Sequence, residues 1–113
     1  MQEQRKAELH YSAKARRDLD AIWDFYLDEY QNTDAAEKII DAIMADIDQL
    51  ADFPELGPSL SSIADVDAGY RFLVTGNYLS FYRIDGIDIS IDRILYGRRD
   101  YLSVLIEDMF KNQ

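Results

Sequence analysis

The hydrophobic period of this chain changes once, and that change limits the folds it can adopt. From Leu19 to Leu50, apolar residues recur every three or four positions, as on one face of an α-helix. After a polar stretch, residues 60–68, the spacing falls to about two, as in half-buried strands. Neither layer can bury its apolar side alone. The sequence therefore predicts an α+β fold: an N-terminal helix hairpin packed on a three- to four-stranded antiparallel β-sheet, with a short C-terminal helix.

Two helices are predicted in the first half of the chain. Ser12 has the chemistry of an N-cap, and the apolar stripe after it continues to Tyr30, about five helical turns. Asn32-Thr33-Asp34 interrupts the stripe and supplies the next cap. The second helix is expected to end before Pro54. The short connection makes the pair an antiparallel hairpin.

Three strands are predicted in the second half, over residues 70–75, 78–84 and 87–96. Gly76-Asn77 and Asp85-Gly86 are the expected hairpin turns between them. Residues 8–11 alternate in polarity and are predicted to add a short strand at an edge. Residues 101–110 carry a weak helical pattern.

Length and composition narrow the class of protein. The chain of 113 residues suits a single domain, residues 1–113, and its 48% hydrophobic content suits a packed globule. No apolar run approaches the roughly 20 residues of a membrane span, and the polar N-terminus does not resemble a secretion signal. The absence of cysteine excludes disulfides and thiolate chemistry, and it is consistent with a cytoplasmic location.

Charge is distributed unevenly in a chain whose net charge is −10. Residues 18–70 hold fourteen acids and one base, Lys38, whereas residues 71–99 hold five arginines and three aspartates. The acidic half is interpreted as the solvated side of the helices. Such a chain is a poor general binder of nucleic acid, because its overall field repels phosphate.

The arginines and tyrosines of the strands are the candidate binding residues. Neighbouring strands lie about 5 Å apart, so their side chains can converge into a face that recognises an anion. The residues assigned to this face are Arg71, Tyr78, Tyr82, Arg83, Arg93, Tyr96, Arg98, Arg99 and Tyr101. The alternative interpretation is structural, with the arginines paired to nearby aspartates and the tyrosines packed at the rim of the core.

Other candidate sites are weak. His10 is the only histidine and is interpreted as an ordinary strand residue. Asp20, Asp24 and Asp28 share a helical face but have no second ligand-bearing motif beside them. No glycine-rich phosphate loop is present. Neither a metal site nor a cofactor is predicted.

Three segments, in this order, resemble a known family. They are "DFPELG" after the second helix, "YRFLVTGNYLSFYRID" across two strands, and "ILYGRRDYLSVL" at the end. Together they resemble the RelE/ParE superfamily of type II toxin–antitoxin toxins over roughly residues 7–105. The resemblance implies a small bacterial cytoplasmic toxin that inhibits growth and is neutralised by a cognate antitoxin. RelE-like members cleave mRNA on the ribosome without a metal, and ParE-like members poison DNA gyrase.

Departures from the ribonuclease pattern favour the ParE branch. Arg99 falls where the ribonucleases keep an arginine, but their catalytic tyrosine would fall near Leu105. A further arginine of the middle strand meets Asn77 or Tyr78 instead. The expected function is therefore that of a ParE-like toxin which inhibits an essential protein such as gyrase, and no catalytic residue is assigned.

Two other functions remain open. One is a metal-independent endoribonuclease that uses Arg71, Arg83 and Arg99, for which the acidic surface makes RNA or the ribosome a weak partner. The other is an inactive homologue kept for antitoxin binding. A homodimer or a toxin–antitoxin hetero-oligomer is compatible with the broad apolar faces, and no membrane partner is expected.

Overall fold

A computed structural model describes residues 6–62, 69–97, 103–105 and 107. The elements are β1 (Glu8–Tyr11), α1 (Ala13–Tyr30), α2 (Thr33–Asp48), β2 (Arg71–Thr75), β3 (Tyr78–Asp85) and β4 (Asp88–Tyr96), with 3₁₀ turns at Gln49–Ala51 and Leu60–Ser62. Residues 103–105 and 107 are helical, in agreement with the predicted C-terminal helix; the rest of its predicted range lies outside the described residues. The α+β arrangement is confirmed.

The helix boundaries follow the capping chemistry of the sequence. The Ser12 side chain accepts a hydrogen bond from the Ala15 N–H, and the Asn32 side chain accepts one from the Ala35 N–H. Gln31 ends α1 in the left-handed conformation, with φ of 48°. Gln31 and the Asn32 cap fix the tight turn between the helices. The second helix was expected to end before Pro54, and it ends at Asp48. A 3₁₀ turn, Gln49–Ala51, follows it directly.

The sheet has the strand order β1-β4-β3-β2 and is mixed. The β2–β3 and β3–β4 pairs are antiparallel, as predicted, but β1 pairs with β4 in parallel, so the expectation of a wholly antiparallel sheet is wrong for this edge strand. A parallel neighbour requires a long connection, and both helices and two strands lie between β1 and β4.

Both faces of the sheet carry a buried cluster. On the helix side, Ile22, Ile43 and Ile47 pack against strand residues that include Tyr82 and Ile91. On the outer side, a second cluster comprises Leu60, Tyr70, Phe72, Leu79, Phe81 and Leu105. The helix hairpin covers one face, as predicted, while the 3₁₀ turn at Leu60 and the C-terminal helix cover part of the other. Within the described part of the chain, no helix is long and apolar enough to cross a bilayer.

An irregularity in β4 was not predicted. The β3–β4 register shifts between Phe81 and Tyr82, which places Asp92 in a β-bulge because Phe81 pairs with Arg93 and Tyr82 pairs with Ile91. The hairpin turn before β4 is also displaced by one residue, to Gly86 and Ile87. The bulge brings the Asp92 carboxylate to the outer face among several polar side chains.

Candidate functional site

Arg71 starts β2 and is held by a loop of its own chain. Its guanidinium donates to the Gly57 carbonyl oxygen at 2.7 Å and lies 3.5 Å from the Glu55 carbonyl oxygen. Antiparallel pairing of Ser59 with Arg71 brings this loop alongside β2. The guanidinium therefore ties the segment after α2 to the sheet, which is a structural task.

Tyr82 lies in the same corner and is completely buried. Its hydroxyl donates to the Pro54 carbonyl oxygen and accepts from the Gly57 N–H, both at 2.9 Å. Burial raises the pKa of this phenol above its ordinary value. We call residues 54–57 together with Arg71 and Tyr82 the sealed corner. No base or partner side chain can stack on Tyr82 there, which corrects its assignment to an exposed binding face.

Arg83 projects from the outer face of β3. Its Nε lies 2.8 Å from the Asp92 carboxylate, and its guanidinium carbon lies 5.4 Å from the centre of the Tyr70 ring. Asp92 also accepts hydrogen bonds from the hydroxyls of Tyr70 and Ser90. Burial lowers the pKa of Arg83, but the charges of Asp92 and Asp85 outweigh it and leave that pKa raised. Arg83 therefore stays charged, and the Asp92 carboxylate offsets most of that charge.

Arg93 joins β4 to α1 through a carboxylate. Its Nε and one terminal nitrogen donate to the two Asp18 oxygens at 2.7 and 2.9 Å, and Asp18 also accepts from the Ile94 N–H at 2.9 Å. The exposed fractions of the two side chains are only 16% and 14%. This ion pair anchors the first turns of α1 to the sheet.

The expected convergence of the strand arginines is wrong for the three that the structure describes. Arg71 pairs with Tyr82 in the β2–β3 register, and Arg83 follows Tyr82 directly, so the two arginines leave opposite faces of the sheet. Arg93 turns toward α1. Arg98, Arg99 and Tyr101, the other members of the predicted face, lie outside the described residues.

A groove lies between α1 and the end of β4. It has a volume of about 890 Å³ and is lined by Phe25, Tyr26 and Tyr30 on one side and by Tyr78 and Tyr96 on the other. Its lining also includes Asp18, Arg93 and Val104. Two of the predicted site residues, Tyr78 and Tyr96, therefore meet here, with ring centres 5.6 Å apart.

The aromatic residues of α1 were not predicted as site residues. Phe25 and Tyr30 expose 42% and 62% of their surface, and each packs edge-on against a neighbouring ring. The spacing of Tyr26 and Tyr30 placed both on the core stripe of the helix. Phe25 beside Tyr26 widens that stripe beyond what one sheet face can cover, and this width is the signal in the sequence. Exposed rings at the rim of a groove are typical of binding surfaces.

The position expected for a ribonuclease tyrosine is part of the core. Leu105 is 1% exposed and belongs to the outer cluster with Phe81 and Phe72. Asn77 and Tyr78, one of which stands where the ribonuclease pattern has an arginine, both line the groove, and Tyr78 is buried. In the described part of the chain, the groups needed to grip and protonate a scissile phosphate are not assembled.

Comparison with known proteins gives one consistent family. A model described as the ParE toxin of the type II toxin–antitoxin system, parDE, matches residues 9–101. The toxin ParE1 of Mycobacterium tuberculosis is 33% identical over 90 residues, which are 79% of this chain and 88% of that protein. The toxin ParE1 of Caulobacter vibrioides is 31% identical over 85 residues, or 75% and 83% of the two chains.

Solved structures show the same fold. A chain of the chromosomal ParDE system from P. aeruginosa matches with a TM-score of 0.68 and 26% identity, covering 82% of this chain and 98% of its own. A chain of the RelBE2 toxin–antitoxin complex from Mycobacterium tuberculosis shares the fold at a TM-score of 0.54 and 20% identity, over 80% and 98% of the chains. The family model, the ParE1 relatives and the shared fold together place this chain in the ParE family of type II toxin–antitoxin toxins.

Proposed function

We propose that this ParE-family toxin acts by binding another protein rather than by cleaving RNA. The observation that carries the proposal is the engagement of its strand arginines. Arg71 is held by loop carbonyls, Arg83 by Asp92 and Arg93 by Asp18. A ribonuclease would need such cations aimed at a phosphate. The position expected for its catalytic tyrosine is held by Leu105, which is buried.

The charge of the outer sheet face supports the same proposal. Glu8, Asp85, Asp88 and Asp92 extend from the outer sides of three neighbouring strands, where Arg83 and His10 are the described basic groups. A surface with this excess of carboxylates repels the phosphates of ribosomal RNA. The chain is therefore better suited to a protein partner than to a nucleic acid.

The groove between α1 and β4 is the proposed docking site of the cognate antitoxin. The structural relatives come from a ParDE toxin–antitoxin system and a RelBE2 toxin–antitoxin complex. The groove offers five aromatic rings and one half-buried ion pair, Asp18–Arg93, so apolar anchor side chains should dominate binding. Exposed acids on α1, among them Asp24 and Asp28, favour basic residues beside those anchors.

DNA gyrase is the proposed target, and the proposed place of action is the cytoplasm. Both follow from membership of the ParE branch, and the engaged arginines remove the main reason to prefer the ribosome. An inactive homologue would keep the antitoxin groove but arrest nothing. A second copy of the chain is the other occupant that the groove could accept.

One experiment separates these functions. The chain is expressed from a tight inducible promoter, with and without its cognate antitoxin, and viable counts, gyrase-dependent DNA breaks and mRNA cleavage are followed together. We expect arrest with DNA breaks and intact transcripts, reversed by the antitoxin, and inhibition of supercoiling by purified gyrase. Transcripts cut early, with supercoiling unaffected, would show that the protein is a ribonuclease. Growth without arrest would identify the inactive homologue, and light scattering of the purified chain reports any dimer.

A further inference from the structure

Three side chains with metal-binding atoms meet on the outer face of β1 and β4. The His10 Nε2 lies 2.9 Å from an Asp88 carboxylate oxygen and 3.9 Å from a Glu8 carboxylate oxygen. One ligand atom from each of the three residues lies within 4.8 Å of the other two. All three residues are exposed, so an ion can reach them directly from solvent.

The backbone brings these residues together. Glu8 and His10 are two positions apart on β1, so both leave its outer face, while Leu9 and Tyr11 pack against the core. Parallel pairing places Glu8 beside Asp88 and His10 beside Ser90. The cluster is therefore a consequence of the strand register, which brings the three side chains to one face of the sheet.

The register also places like charges opposite one another. Glu8 pairs with Asp88 on one side, and Asp85 pairs with Asp88 on the other, so three carboxylates lie in a row across three strands. Like charges directly opposite on neighbouring strands destabilise a sheet. Among the described groups, the charge of Arg83 acts on Asp85, and the His10 ring lies beside Glu8 and Asp88. A cation bound between Glu8 and Asp88 would offset the repulsion between their charges.

We propose that Glu8, His10 and Asp88 form a binding site for a divalent transition-metal ion, with zinc as the best fit. Zinc accepts imidazole nitrogen and carboxylate oxygen at about 2.0–2.2 Å, so two ligands of a tetrahedral ion lie about 3.3–3.6 Å apart. The observed separations of 2.9 and 3.9 Å bracket that value. An imidazole ligand disfavours calcium and magnesium, which prefer oxygen alone. Water would complete the coordination.

The ion would fasten the N-terminal strand to the sheet. β1 has only four residues and forms an edge of the sheet, and backbone bonds from Glu8 to Ile87 and from Ser12 to Ile91 extend its pairing. A ligand that binds only the folded state stabilises it in proportion to its occupancy. Metal binding would therefore raise the melting temperature and slow the opening of β1.

The single histidine makes the test direct. The full chain, prepared without a histidine tag and stripped with a chelator, is titrated with zinc chloride by calorimetry while NMR follows the ring resonances of His10. We expect one ion per chain, movement of those resonances and a higher melting temperature. His10→Ala should abolish all three effects. Glu8→Gln and Asp88→Asn should each weaken binding by about tenfold or more, as loss of even an outer partner does.

Two variants control for general electrostatics. Asp28→Asn removes an exposed negative charge from α1, and Asp85→Asn removes one beside the cluster without removing a ligand. We expect affinity within about twofold of wild type for the first and a smaller loss than in Asp88→Asn for the second. Circular dichroism of the metal-free variants reports whether each still folds. Zinc that binds His10→Ala as tightly as wild type, or that leaves the His10 resonances in place, would overturn the proposal.

Discussion

The sealed corner and the groove use the same kinds of side chain for opposite purposes. In the sealed corner, the Arg71 guanidinium and the Tyr82 hydroxyl form hydrogen bonds with the backbone carbonyls and an N–H of residues 54–57. In the groove, Phe25 and Tyr30 keep 42% and 62% of their surface exposed. The comparison shows that residue type does not distinguish a binding site from a structural one. What distinguishes them is whether a loop of the same chain already covers the side chain and forms hydrogen bonds with it.

The loop of the sealed corner, residues 54–57, is tightly packed against the sheet at Gly57. Gly57 is buried, and its N–H and carbonyl oxygen contact Tyr82 and Arg71 respectively. No segment described in the structure lies over Phe25 and Tyr30 in the same way. The sealed corner should therefore respond to mutation through stability, and the groove through binding.

Substitution of Gly57 by alanine should have the largest effect. An added Cβ would lie 2.3 Å from the Phe72 carbonyl oxygen and 2.9 Å from the Tyr82 hydroxyl, so the loop and β2 must move apart. We expect a loss of about 2–3 kcal/mol in the free energy of unfolding, typical of overpacking. Urea denaturation of the purified chain measures it.

Gly86→Ala is the matched control. Gly86 has φ of 63° and nothing within 4 Å of an added Cβ, so only backbone strain of about 1 kcal/mol is expected there. Equal losses for the two variants would mean that the corner is not tightly packed, and the comparison would fail at its first step.

Removal of the groove aromatics should have the next largest effect, mainly on binding. Phe25→Ala with Tyr30→Ala deletes two exposed rings at the rim, and we expect a loss of about 2 kcal/mol or more in antitoxin binding, roughly thirtyfold in Kd. The unfolding midpoint should change less than antitoxin affinity, because Phe25 and Tyr30 are 42% and 62% exposed. Calorimetry with the cognate antitoxin and a urea titration measure the two quantities.

Phe53→Ala serves as the comparison for the groove variant. Phe53 is 64% exposed but lies outside the groove lining, so it tests whether any exposed ring matters. We expect antitoxin affinity to be unchanged in this variant. An equal loss from Phe53→Ala, or full affinity in the groove variant, would place the antitoxin elsewhere on the toxin.

The sequence predicted those features that depend on neighbours along the chain. The Ser12 and Asn32 caps, the helix hairpin and the strand pairs follow from local periodicity and capping chemistry, and all are present. The site was predicted less well. The partners of Arg71 and Arg93 lie 14 and 75 positions away, and such contacts depend on how the layers pack. The parallel direction of β1 and the bulge at Asp92 have no local signal either.

Replacement of the strand arginines should have a smaller effect, which separates their structural and catalytic interpretations. Arg71→Met keeps the aliphatic stem and removes the bonds to Gly57 and Glu55, so we expect a loss of about 1–2 kcal/mol in stability. Arg83→Met breaks an ion pair whose arginine side chain is 54% exposed, and a loss below about 1 kcal/mol is expected. Growth arrest at equal levels of folded protein should persist in both variants. Loss of toxicity without loss of folded protein would return these arginines to a functional role.

Alkaline unfolding should reveal a small difference that is absent at pH 7, through the phenols on the helix side of the sheet. Burial and then the charge of Asp48 raise the pKa of Tyr11 from 10.0 to about 12, and no described residue accepts a hydrogen bond from its hydroxyl. A folded-state pKa above the unfolded one gives stability that is complete below pH 10 and is lost as pH rises toward 12. At pH 11 the expected loss from Tyr11 is about 1 kcal/mol relative to pH 7.

Tyr11→Phe isolates that contribution, because it removes the titrating hydroxyl and breaks no hydrogen bond to a described residue. Its unfolding free energy at pH 7 should equal or slightly exceed that of wild type, and its decline between pH 10 and 12 should be shallower. The decline that remains should include Tyr82, whose pKa is also raised by burial but whose hydroxyl holds the sealed corner closed. Identical slopes for Tyr11→Phe and wild type would show that the Tyr11 phenol reaches solvent. Water would then reach the helix side of the sheet at Tyr11, although the Tyr82 hydroxyl on the same side is held by two hydrogen bonds.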